Sequence, residues 1–151
     1  MILVVGCNHG RPEKQFCTPS EERLNTEKAK FVAEEWGLAE KTRAQSIAEK
    51  CGIPWSEINT CFHDLDKLGI PRNYVNEKHS AEQKREWNGK REKIMLERIQ
   101  AAAKGATDGI VICGWEHMDP LVELLKREGI NTQPLDYRKE NWYKPAFSGD
   151  A

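Results

Sequence analysis

Apolar residues in this chain fall into short runs rich in β-branched side chains, separated by longer stretches with helical spacing. Met1–Val5 is an unbroken apolar run that stops at Gly6, the pattern of a strand buried on both faces. Gly109–Cys113 repeats the pattern, and Ala29–Ala33, Trp55–Phe62 and Ile130–Leu135 are shorter strand candidates. Between them the spacing predicts a charged helix opened by Ser20 or Pro19 and running to about Lys28. A second helix is expected over Thr42–Lys50, closed at Gly52, and a long third one over Ser80–Lys104, ended by Gly105. Asp119–Pro120 offers an N-cap and first-turn proline for a fourth, with Lys126, Arg127 and Gly129 as its basic last turn and stop. Pro12 and Pro19 with Gly10 mark a loop, and Pro71–Asn76 a connector.

Strands alternating with helices predict an α/β fold with a single, mostly parallel central sheet flanked by helices. The domain is expected over residues 1–137, with 138–151 as a polar and aromatic C-terminal tail. Parallel strands bring their carboxyl ends to one edge, which is where ligands bind in open α/β sheets. Three strand ends there carry ionisable groups: His9 after the first, Glu34 and Glu35 after Ala29–Ala33, and His117 after Gly109–Cys113. Gly6 and Gly114 begin two G-x-x-H motifs, and each glycine is expected to turn the chain sharply out of the sheet.

Arg91 joins this set by a length argument. It shares a helical stripe with Trp87, Ile94, Met95 and Ile99. From Arg91 to Lys104 a helix rises about 20 Å at roughly 1.5 Å per residue. The following strand runs roughly 17–20 Å in the opposite direction, which brings Arg91 level with His117. A buried arginine needs a paired anion, and Glu34 or Glu35 is the candidate. Asn8 and Glu116 read as turn-capping groups, and His63, Asp64 and Asp66 as a polar loop.

Composition narrows the setting. A formal net charge of −1 does not suggest a nucleic-acid or membrane-surface partner. The longest apolar run is too short to span a bilayer, and a secretory leader pattern is missing. Five cysteines, an odd number without a C-x-x-C pair, argue against a disulfide framework and a structural zinc site. Cys7 and Cys113 are expected as free buried thiols, in a reduced cytoplasm. G-x-G-x-x-G, P-loop, G-x-S-x-G and H-E-x-x-H motifs do not occur, which disfavours dinucleotide binding, P-loop chemistry and serine hydrolysis.

The paired Gly6-x-x-His9 and Gly114-x-x-His117, the Glu34–Glu35 pair and the helix segment Arg91–Ile99 together resemble the TraB/Tiki superfamily. That superfamily is related to the erythromycin esterases and the ChaN-like proteins. The order of motifs is similar from Met1 to about Leu135, in a compact form. The resemblance implies hydrolysis of a peptide, an ester or another small polar substrate. His9 and His117 with one of Glu34 or Glu35, Glu35 being the one assigned to the metal, would then hold a divalent ion (zinc, manganese or cobalt) or act directly as acid and base. The other glutamate would take a proton, and Arg91 would hold a carboxylate or an oxyanion. The alternative is a non-catalytic binder of a small anionic ligand or haem at the same edge, with Trp36, Trp87 and Trp115 stacking on a planar ring. A domain this small is also compatible with a homodimer.

Overall fold

A computed structural model of the chain describes residues 1–7, 17–37, 40–76, 78–138 and 142–143. Among these residues one sheet holds five parallel strands: β1 (Ile2–Cys7), β2 (Val32–Glu34), β3 (Trp55–Glu57), β4 (Gly109–Gly114) and β5 (Thr132–Leu135). Their order is β3-β2-β4-β1-β5, so β1 and β4 form the centre. The helices are α1 (Glu21–Thr26), α2 (Arg43–Lys50), α3 (Phe62–Leu68), α4 (Ala81–Ala103) and α5 (Trp115–Arg127). The chain is thus a single α/β domain, and no helix among the described residues is long and apolar enough to cross a membrane.

The period-two alternation of side chains sorts the core into two layers. Leu3, Val5, Cys7, Val32, Ile110 and Ile112 face α1 and α2, where Leu24, Ala44 and Ala48 close over them. Ile2, Val4, Ala33, Val111 and Cys113 face α4 and α5, against Met95, Ile99, Met118, Leu121 and Leu125. A third, smaller cluster of Leu65, Ile70 and Trp87 seats α3 on the first turns of α4, beyond the sheet. Helix starts follow the expected chemistry: Ser20, Thr42 and Ser80 each accept from the backbone three residues on, at 3.2, 3.0 and 3.1 Å. Helix α4 ends through two left-handed residues, Lys104 at φ 48° and Gly105 at φ 83°.

Several expectations are corrected. Strand β2 starts at Val32 rather than Ala29, because the Ala29 N–H bonds back to Leu24 O and finishes α1. Residues 63–66 are not a loop but part of α3, capped by a hydrogen bond from Cys61 N to Asp64 and ended at the left-handed Gly69. Asp64 pairs with Arg98 and Asp66 with Arg72, so both are committed to ion pairs. Helix α5 begins at Trp115, directly off β4, so Asp119 is not its cap and Pro120 lies inside it. That proline removes the intrahelical bond to the Glu116 carbonyl. Beyond residue 137, Trp142 is buried and donates from Nε1 to Cys17 O at 3.1 Å.

Cys7 is not a free thiol: it forms a disulfide with Cys17, which leaves Cys51, Cys61 and Cys113 free. The glycines of the two G-x-x-H motifs also have other reasons than a sharp turn. Gly6 lies within β1, and a Cβ there would meet Met118 Sδ and Trp115 Cε3 at 3.0 Å. Gly114 has φ −58° and ψ 145°, an ordinary extended conformation. Close approach of α5 to the sheet is what Gly6 permits.

Gly109 meets the tightest constraint, since a Cβ there would fall 2.1 Å from Phe31 Cε1 in the core. Gly109→Ala is therefore expected to cost about 1–3 kcal/mol by overpacking, read as a lowered urea midpoint. A variant as stable as the parent would mean that the Phe31 ring moves freely.

Candidate functional site

Parity along β2 divides the glutamate pair. Val32 points to the α1/α2 layer and Ala33 to the α4/α5 layer, so Glu34 returns to the first side. There Glu34 Oε1 accepts from Thr42 Oγ1 at 2.5 Å and Trp55 Nε1 at 3.0 Å, far from α4 and α5. Glu35 instead turns towards them. Its backbone N–H is fixed on Ile112 O at 2.8 Å, Oε1 accepts from Gly114 N at 2.7 Å, and Oε2 accepts from Arg91 Nη2 at 3.0 Å.

Arg91 reaches this edge from the buried side of α4. Its Nε donates to Thr60 Oγ1 at 2.7 Å, and Nη1 donates to Asn88 Oδ1 at 3.3 Å. The Tyr74 ring lies against the guanidinium, its centroid 4.9 Å from Cζ. Nη1 also lies 3.2 Å from His117 Nε2. A guanidinium only donates, so this contact is a hydrogen bond when Nε2 carries the lone pair. The proton then sits on Nδ1, which is 2.7 Å from Glu92 Oε2. Glu92 thus sets the tautomer and the ring plane. His117, in the first turn of α5, is fully enclosed at 0% exposure, with Arg91 at 4%, Glu92 at 5% and Glu35 at 7%.

Glu35 pairs with Arg91, Glu92 lies on His117 Nδ1, and the exposed Glu116 places Oε1 3.6 Å from Nε2. Two neighbouring groups are displaced upward in pKa, chiefly by burial. Burial pushes the Cys113 thiol well above its usual range, and Glu35, Glu116 and Glu92 push it the same way. Burial also raises the Tyr74 hydroxyl, opposed by Arg91 and reinforced by Glu35 and Glu116.

Of the residues expected at this edge, the structure brings together Glu35, Arg91 and His117 and sends Glu34 to the other layer. His9 lies outside the described residues, as does Asn8. Among the described residues no group of His, Cys, Asp and Glu is arranged to hold a metal ion. The Nε2 lone pair of His117, the nitrogen open to an ion, meets the permanent cation of Arg91 instead. Trp87 is buried in the small cluster and Trp36 donates to Glu40 O at 2.9 Å, while Trp115 is exposed beneath Arg138.

Glu92, Thr60, Asn88 and Tyr74 were not singled out by the spacing. Glu92 did carry a signal: it lies at helical spacing from the buried Met95 and Ile99. A cleft of about 420 Å³, bounded by Ile2, Ile99, Ala103 and Ile130, opens at the opposite edge and contains none of these groups. Comparison with family models, curated proteins and solved structures finds no match for the chain.

Proposed function

We propose that this protein is a hydrolase of a peptide, an ester or another small polar substrate, with His117 as its base. The observation that carries this reading is the convergence of Glu35, Arg91, Glu92 and His117, all nearly buried, at the carboxyl edge of the sheet. Burying such a set costs several kcal/mol of desolvation per ion, and cores of this size fold without one. Networks of this kind concentrate at working sites. The likeness of the motif order to the TraB/Tiki superfamily supports the same class.

In the resting state Arg91 Nη1 donates to Nε2. A substrate carbonyl oxygen that takes over this N–H is polarised by it and leaves the Nε2 lone pair free. Nε2 then removes a proton from water as the water oxygen bonds to the carbonyl carbon. The proton passes to the leaving oxygen or nitrogen as its bond to carbon breaks. Glu92 is a positioning residue, holding Nδ1–H throughout. Among the described residues, the three carboxylates beside His117 and Arg91 do not favour a small anion as ligand.

The test is a screen of the purified chain against chromogenic esters and short peptides. Glu92→Gln is expected to lower kcat about 10- to 100-fold with KM unchanged, because it acts through His117 alone. A rise in KM with kcat intact would remove Glu92 from this role. No turnover on any substrate, with the variants folded, would sink the hydrolase reading.

A further inference from the structure

We propose that Arg91 is the resident cation of this centre, its guanidinium standing where a divalent ion would otherwise sit. His117 Nε2 lies 3.6 Å from Glu35 Oε2 and 3.6 Å from Glu116 Oε1. Donors around a tetrahedral ion with bonds of about 2.0–2.2 Å lie roughly 3.4 Å apart. Each carboxylate oxygen thus lies from Nε2 at about the separation of two neighbouring ligands. What lies against them is the arginine, with Nη1 3.2 Å from Nε2 and Nη2 3.0 Å from Oε2.

The surroundings match a planar fork rather than a spherical ion. Thr60 Oγ1 takes Nε–H, Asn88 Oδ1 and His117 Nε2 take the two hydrogens of Nη1, and Tyr74 covers one face. These partners come from four separate segments, and each meets the guanidinium at a direction that its rigid geometry dictates. Arginine stays charged at any working pH, so a second cation at Nε2 would face it at contact distance. The centre thus carries its own fixed positive charge, supplied by α4.

This inference goes beyond the proposed hydrolysis and does not depend on turnover. Wild-type protein is loaded with zinc, manganese and cobalt, and its metal content is read by mass spectrometry beside His117→Ala. No stoichiometric ion is expected in either, whereas about one ion per chain that His117→Ala loses would overturn the proposal. The second arm is Arg91→Ala, titrated with millimolar guanidinium chloride while the melting temperature is followed. The ion is expected to refill the vacated position and raise the variant's melting temperature by several degrees, with no rise in wild type and none with potassium chloride. A folded variant that guanidinium does not stabilise would overturn the proposal. If Arg91→Ala does not fold, the wild-type loading alone decides it.

Discussion

Arg91→Met is expected to lower the unfolding free energy by about 3–5 kcal/mol, the loss that follows when a buried ion pair is broken from one side. Methionine matches much of the arginine stem but removes the Arg91 donor from Glu35 Oε2 and from His117 Nε2, inside an almost closed space. Glu92 remains held by Nδ1, so the ion pair that is broken is the one between Arg91 and Glu35. A double variant, Arg91→Met with Glu35→Gln, should recover part of the loss, with a coupling of about 1–3 kcal/mol. Urea unfolding of the four proteins in this cycle measures it. Strict additivity would mean that Arg91 and Glu35 do not interact in solution.

Breaking the Cys7–Cys17 bridge is the next largest expected effect, about 3 kcal/mol for a closed loop of this length. The bridge joins the end of central strand β1 to a residue whose carbonyl is held by the buried Trp142, so both ends are anchored in the core. For a chain of this size the melting temperature should fall by roughly 6–12 °C in reductant or in Cys17→Ser. Counting thiols in denaturant before reduction gives an independent reading. The free set is expected to be Cys51, Cys61 and Cys113. Reaction of all the cysteines in the purified, air-exposed protein would refute the bridge.

Strands β1 and β4 were legible because burial on both faces leaves an unbroken apolar run, a pattern that few other structures produce. The level of Arg91 along α4 was legible too, since helix and strand rises are fixed quantities. The choice between Glu34 and Glu35 was open because the sequence does not say which face of β2 meets α4 and α5. Once Val32 and Ala33 are assigned to their layers, parity alone selects Glu35.

Other features had weak or misleading signals. Helix α3 starts at Cys61, a residue type that does not announce a cap, and its Asp64 partner looks like any loop acid. The start of α5 was hidden by Asp119–Pro120, which imitate a cap inside a helix already running. Glu92 did not stand out because adjacent charges on a helix are usually solvated. The disulfide depends on how close two Cβ atoms come in space, which spacing along the chain does not reveal.

The placing of β1 between β4 and β5 bears on how the chain is made. Ile2 pairs with Gly109 on one side and Thr132 on the other, so the first strand synthesised is completed by the last. At a translation rate of about 5–20 residues per second, Ile2–Cys7 waits roughly 6–25 s for both neighbours. Throughout that interval an apolar, β-branched segment with both edges open is available to any other nascent strand. The sheet cannot grow outward from its N-terminal strand as the chain emerges. Its centre forms only once β4 and β5 have both been made.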